Sequence, residues 1–383
     1  MMGIKWLLPA AAVALAACGV AGQPRSATYP RPSPTASAVS APSPTAGLLV
    51  IASGLPGIQQ VSNPPTGQAM VSIVDAEGQV RARAMFEPPP APRIGNAGAL
   101  LQSPVRAAAG AAYYADKSGS VRKLTPDGTV SPVAKFPLTN PQQELTYAVS
   151  PDGGHLIAIV LSTPPLHDPP PQSLADPLYQ EGAHWKLRLE TAEAGGPTAT
   201  TLERDLGTAF PRPTLIAGWD ERGPVASLNS ALGAQSVPAS TRFFGDSIVH
   251  LASDGSHAEQ LGGPGCVAVD EIPNGTVVCA ADTSPQLRVK SSSGAVFWQA
   301  SLPAGASSAS PWLSPDGSTI ALQGLTVTAR GAAPAAAAAI PLGWLDNSTI
   351  VESTAAGDLS LYEAAGGKKL RDLGLNGIFA GKT

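Results

Sequence analysis

Few side chains in this sequence can do acid–base or metal chemistry. There are five histidines, His155, His167, His184, His250 and His257, and three cysteines, Cys18, Cys266 and Cys279. The densest gathering lies in a proline-rich stretch at 163–184, where His167, Asp168 and His184 accompany Asp176, Tyr179, Glu181 and Trp185. Two imidazoles with carboxylates are ligands for a divalent metal ion, and an aromatic ring nearby would meet a small ligand. The prolines hold such a loop extended, so spacing alone does not converge these groups. The competing reading is a solvated surface excursion. His155 and His257 follow Asp-Gly turns and read as surface residues; His250 sits in an apolar run and reads as a packed strand residue. The sequence has no Gly-x-Ser-x-Gly elbow, Walker loop, His-Glu-x-x-His or calcium-binding loop, and neither a resident metal nor a cofactor is expected.

Cys18 stands in a different context. Lys5 precedes a twelve-residue apolar stretch, Trp6 to Ala17. That is too short for the roughly 20 residues that cross a bilayer, and it has the length of a signal-peptide core. Leu15-Ala16-Ala17-Cys18 resembles a lipobox. The resemblance implies cleavage before Cys18 and a diacylglyceryl thioether on its sulfur, which places the protein on the extracytoplasmic face of the cell membrane. Ordinary signal peptidase cleavage, with Cys18 incidental, is the alternative. Residues 18–47 interleave proline with Ser, Thr and Ala and read as a disordered spacer, reaching about 3.1 Å per residue if extended. An oxidising compartment would join Cys266 to Cys279, which flank the turn signal at 270–275. Two buried thiols remain the alternative, because only some hairpin registers bring the pair within reach.

Those residues must be positioned by the body, residues 48–383. Charged residues are 14% of the chain and the net charge is −4, which argues against a nucleic-acid partner recognised by bulk charge. The apolar fraction of 43% can bury a core, and 40 glycines with 39 prolines fit an all-β chain full of turns. The alanine- and proline-rich, lysine-poor composition resembles that of high-GC bacterial genomes, such as those of actinobacteria. Short apolar runs alternate with turn signals such as Pro126-Asp127-Gly128, Pro151-Asp152-Gly153 and Pro315-Asp316-Gly317. The segments 146–158 and 310–321 are near copies, each an apolar strand, an acidic turn and a second apolar strand. Looser copies begin near 216, 266 and 342.

This recurrence resembles the WD40-like, TolB-type propeller repeat. It implies an all-β fold of about seven blades, near 48–90, 97–137, 145–205, 213–262, 265–303, 308–341 and 342–379, with six or eight as alternatives and a two-sheet sandwich as the structural rival. The body divides into units of 48 residues, or roughly 45 without the 163–184 insertion, near the length of such a blade. The run Ala335–Ala339 reads as a strand or loop. Trp219, Trp312 and Trp344 fall at equivalent repeat positions and are expected to pack between blades.

The resemblance implies partner binding in the cell envelope: a membrane-anchored, non-enzymatic scaffold with another envelope protein as partner. The alternatives are a propeller lactonase or glycosidase, or a carrier of a small ligand at the channel mouth. Asp220, Asp270, Asp316 and Asp346, equivalent by repeat, are the carboxylates an enzyme would bring to that mouth; turn geometry is their simpler explanation.

Overall fold

The computed structural model describes residues 47–55, 67–90, 93–94, 97–98, 102–167, 179–180, 182–209, 214–228, 247–252, 257–281, 284–304, 306, 311–335, 339–354 and 356–383. The leader, Cys18 and most of the spacer lie outside them. Seven four-stranded antiparallel sheets and one two-stranded hairpin, Arg93–Ile94 with Ala97–Gly98, make up the body. The sheets form a ring, a seven-bladed β-propeller.

The innermost strands, in ring order, are Ile378–Lys382, Val105–Ala108, Gln143–Val149, Leu215–Asp220, Val267–Glu271, Trp312–Leu313 and Ile340–Trp344. The outermost are Val80–Phe86, Val130–Lys135, Thr198–Gly207, His257–Gln260, Val296–Ser301, Gly331–Pro334 and Lys369–Asn376. In six blades the four strands follow one another in sequence. In the first, Ile378–Lys382 pairs antiparallel with Leu49–Ser53, and Thr383 N donates to Leu48 O at 2.9 Å. The ring therefore closes by hydrogen bonds between the two ends of the body. The unit expected at 342–379 is corrected accordingly. Its blade runs from Ile340 to Asn376, and the strand beyond belongs to the first blade. Within the run Ala335–Ala339, residues 336–338 lie outside the described residues; Ile340 already starts the next inner strand.

An apolar cluster lies between every two neighbouring blades, and two lie between the third and fourth. Val71, Phe86 and Tyr114 fill the first such seam, Tyr113, Tyr147 and Ala158 the second, and Ile51, Val351 and Leu361 the last. Strands buried on both faces lose the polar alternation of a half-exposed sheet, which is why His155–Ser162 is almost uniformly apolar. Each large side chain buried there contributes roughly 1.5–3 kcal/mol. Two of the repeated tryptophans meet across one seam, where Trp344 Nε1 donates to Trp312 O at 2.9 Å.

The acidic turns follow from side-chain chemistry. Ser314 Oγ accepts from Thr319 N (3.0 Å) and donates to Asp316 Oδ1 (2.7 Å), which accepts from Ser318 N (3.0 Å). Gly317, at φ 72°, takes the left-handed position that closes the turn. Ser150, Asp152 and Gly153 repeat the arrangement.

Candidate functional site

Strand alternation sorts the connections by end. Links between the first and second and between the third and fourth strands of a blade fall at one end of the ring; links between the second and third, and from blade to blade, fall at the other. Every connection at the first end spans five residues or fewer. The strand ends joined by 54–68, 87–104, 163–184 and 229–246 lie at the other end. The chain enters the ring at Gly47 on the short-turn end, beside Thr383.

The 163–184 insertion sits on the long-connection end of the third blade. Its base is pinched: Leu166 bridges Tyr179, and Gln180 N donates to Pro165 O at 2.9 Å. Tyr179 packs edge-on against the buried Trp185, with ring centroids 5.1 Å apart. Asp168 lies outside the described residues. His184 Nδ1 meets the Asp205 carboxylate at 2.7 and 2.8 Å, an exposed pair within the same blade. Hydrogen bonds from the Gly207 amide and His184 hold Asp205 below the ordinary aspartate range. His167 keeps a shielded Nε2 with no hydrogen-bond partner. No group of three or more metal-competent side chains occurs among the described residues.

The four repeat-equivalent aspartates separate into two kinds. Asp316 and Asp346 are turn residues: Asp346 Oδ1 accepts from Ser348 N and Oγ at 2.8 Å each. Asp220 and Asp270 are not explained by a turn alone. Each ends or nearly ends an inner strand and is almost fully buried. The turn position corresponding to Asp316 in the fifth blade is held by Asn274, whose Oδ1 accepts from Thr276 N at 2.9 Å. Asp270 Oδ2 instead accepts from Leu313 N at 2.6 Å and ties the fifth blade to the inner strand of the sixth.

Asp220 anchors the most concentrated titratable cluster. Its Oδ1 accepts from Arg222 N (2.8 Å) and Gly223 N (3.0 Å), and its Oδ2 meets His250 Nε2 at 2.5 Å. His250 and Asp220 are 8% and 1% exposed. Burial pushes Asp220 up. Hydrogen bonds from His250 and the Arg222 amide, the charge of His250 and a hydrogen bond with Glu271 outweigh it and hold the carboxyl below its ordinary range. Arg222 reaches Glu259 at 2.9 Å and covers the cluster on its solvent side. A His–Asp pair can relay a proton, but this one is enclosed by packing at the short-turn end and serves to tie two strands of one blade together.

Three features carry no motif. Arg106 on the second inner strand donates to Tyr147 O (3.0 Å) and Gln102 Oε1 (2.8 Å), with its guanidinium 5.5 Å from the Tyr147 ring centre. Glu352, on the buried strand Thr349–Ser353, is 2% exposed; its Oε2 has no hydrogen-bond partner, and burial pushes its carboxyl up to about 7. At the long-connection end, a groove of about 360 Å³ lies between the first two blades, lined by Met85, Phe86, Tyr114 and the ion pairs Glu87–Lys117 and Asp116–Arg122. Cys266 and Cys279 form a disulfide in the fifth blade, with Cα atoms 5.1 Å apart. Cys279 lies opposite Ala268, and Cys266 just precedes that strand, so the bond crosses the pair diagonally.

No family model matches this sequence, and no curated protein matches it. Solved structures do resemble it. An oligogalacturonate lyase in complex with manganese is 12% identical at a TM-score of 0.45, covering 82% of this chain and 89% of that one. Saccharomyces cerevisiae Sqt1 is 12% identical at 0.45, covering 88% and 90%. A streptogramin B lyase is 13% identical at 0.39, covering 82% and 97%. Likeness so remote transfers no activity. On the evidence of its own blades, the chain is a seven-bladed β-propeller closed by its C-terminal strand.

Proposed function

We propose that the chain is a bacterial lipoprotein: a propeller held through lipid on Cys18 at the extracytoplasmic face of the membrane, which binds another envelope protein as a non-enzymatic scaffold. The observation that carries this reading is the asymmetry of the ring. Connections of five residues or fewer fill the end where the chain enters at Gly47, and all the long connections lie at the other end. Variable loops on a rigid frame are the common form of a binding face. The carboxylates that a lactonase or glycosidase would use support binding over catalysis, since each is already engaged. Asp316 and Asp346 hold turns, Asp270 holds Leu313 N, and Asp220 holds His250.

Two measurements test the reading. Photo-crosslinkers at Lys117, in the groove of the long-connection end, and at Ser318, in a turn of the other end, are placed in the full chain in its native membrane. A protein neighbour captured from Lys117 and not from Ser318 is expected; no neighbour from either position refutes the scaffold. Mass spectrometry of the mature N-terminal peptide should find Cys18 lipidated, and an unmodified Cys18 refutes the anchor.

A further inference from the structure

Cys266 and Cys279 are 1% and 2% exposed. Both pack with Ala217, Val225 and Ile248 of the fourth blade and with Leu261 in the link that leaves it. The closest cover is backbone. Gly262 takes a φ of 76°, and a Cβ placed on it would stand 2.4 Å from Cys266 Sγ and 2.9 Å from Cys279 Sγ. This link is fastened to both blades. Leu261 N donates to Ile248 O at 2.8 Å. Gly262 N donates to Ser292 O at 2.9 Å, and the buried Lys290 donates from Nζ to Gly262 O at 3.1 Å.

The cysteines meet without that cover. The hairpin of Val267–Glu271 with Val277–Ala281 brings their Cα atoms to 5.1 Å inside the stretch 266–281, and a hairpin forms in about 1–10 μs. The parts that bury the bond come from outside this stretch. Ala217, Val225, Ile248 and Gly262 precede it; Lys290 and Ser292, which hold Gly262 down, follow it. Pairing is therefore local and burial is not. Thiol–disulfide exchange needs a donor sulfur in bonding contact with a cysteine sulfur, and packing in the closed ring leaves neither cysteine open to one.

We infer that the bond is made before the fourth and fifth blades close on each other, by exchange between the free hairpin of the fifth blade and an external disulfide. One cysteine thiolate attacks a sulfur of the donor, whose other sulfur leaves as a thiolate. The second cysteine thiolate then displaces the donor from the mixed disulfide. The chain's two thiols are oxidised to one disulfide, the donor's disulfide is reduced to two thiols, and two protons pass from the cysteines to the donor. Order along the chain gives the step its window. Cys279 is made before Lys290 and Ser292, which fasten the cover, and long before Ile378–Lys382, which closes the ring. Closure then seals the product against reductants.

The test follows the Cys266 and Cys279 peptides of the full chain by differential alkylation and mass spectrometry. Dithiothreitol should reduce the bond at least about 100-fold more slowly in the folded chain than in the same chain unfolded in urea, because reduction must wait for the blades to part. The forward step is read with oxidised glutathione, given to the reduced chain either in urea or after dilution into folding buffer. Reduced chain that shows the native melting transition should oxidise at least about 100-fold more slowly than unfolded chain. A reduced chain that never gains that transition supports the same order, since closure then waits for the bond. A smaller difference between folded and unfolded chain, in either direction of the reaction, overturns the inference.

Discussion

Substitution of Glu352 by glutamine should reveal a pH-dependent cost that this carboxyl imposes on the fold. Glu352 lies on the second strand of the seventh blade, opposite Pro341 on one side and Ser360 on the other. Its neighbour Val351 points into the seam with the first blade, so alternation turns Glu352 toward the sixth, the side on which Ile350 packs with Ala321 and Trp344. Proline cannot donate a hydrogen bond, and the Ser360 hydroxyl is already given to Asp372 Oδ1 at 2.7 Å. The carboxyl is thus buried without a donor, and desolvation raises it from 4.5 to about 7. The sign follows from proton binding. Between the two values the folded chain holds a proton that the unfolded chain has released, so stability is fully present below about 4.5 and falls as pH rises to about 7. At 1.36 kcal/mol per decade the full loss is about 3 kcal/mol. Glutamine keeps the shape and cannot ionise. Urea unfolding of parent and Glu352→Gln at pH 5 and pH 8 should show the variant's relative stability rising by about 2–3 kcal/mol between them. A difference that stays constant within about 0.5 kcal/mol across that range would refute the desolvated carboxyl.

Other perturbations read other parts of the ring. Replacing both Cys266 and Cys279 by serine opens a link that spans 13 positions, and denaturant unfolding should register a loss of about 3 kcal/mol in the chain-entropy model. Asp220→Ala strands His250 in a buried site and should cost about 3 kcal/mol; a double variant that also replaces His250 by leucine should recover part of the loss in the same measurement, and strict additivity would show that the pair is not coupled. Gly377→Ala tests the closure. A Cβ there would stand 2.3 Å from Ala52 O at a φ of 148°, so thermal melting should show a loss of at least about 2 kcal/mol, and an unchanged melt would mean that the strand Ile378–Lys382 does not hold the ring shut.

What the sequence made legible was local, and the reason is physical. The Ser-Pro-Asp-Gly turns announce themselves because Ser314, Asp316 and Gly317 satisfy one another within six residues of chain; any such stretch adopts the same turn wherever it lies. Together with the looser repeats and the 45–48-residue spacing, they point to about seven blades. They do not yield the partner of Ile378–Lys382, since nothing in that strand's composition distinguishes a fourth strand of the last unit from the inner strand of the first. Only the pairing with Leu49–Ser53 does. Asp220 and Asp270 were obscured for a related reason. Taken as repeat equivalents they match Asp316, yet in the fifth blade Asn274 takes the turn position, and Asp220 and Asp270 lie on the inner strands, buried where Asp316 and Asp346 stay in solvent. Glu352 was hidden because a sequence shows that a residue is acidic but not which donors its fold denies it. Nonlocal accounting of this kind also explains the outer edges. Six of them carry a charge or a proline, and beside any local partner, such as Asp205 with His184 or Glu259 with Arg222, such a residue disfavours pairing with another chain.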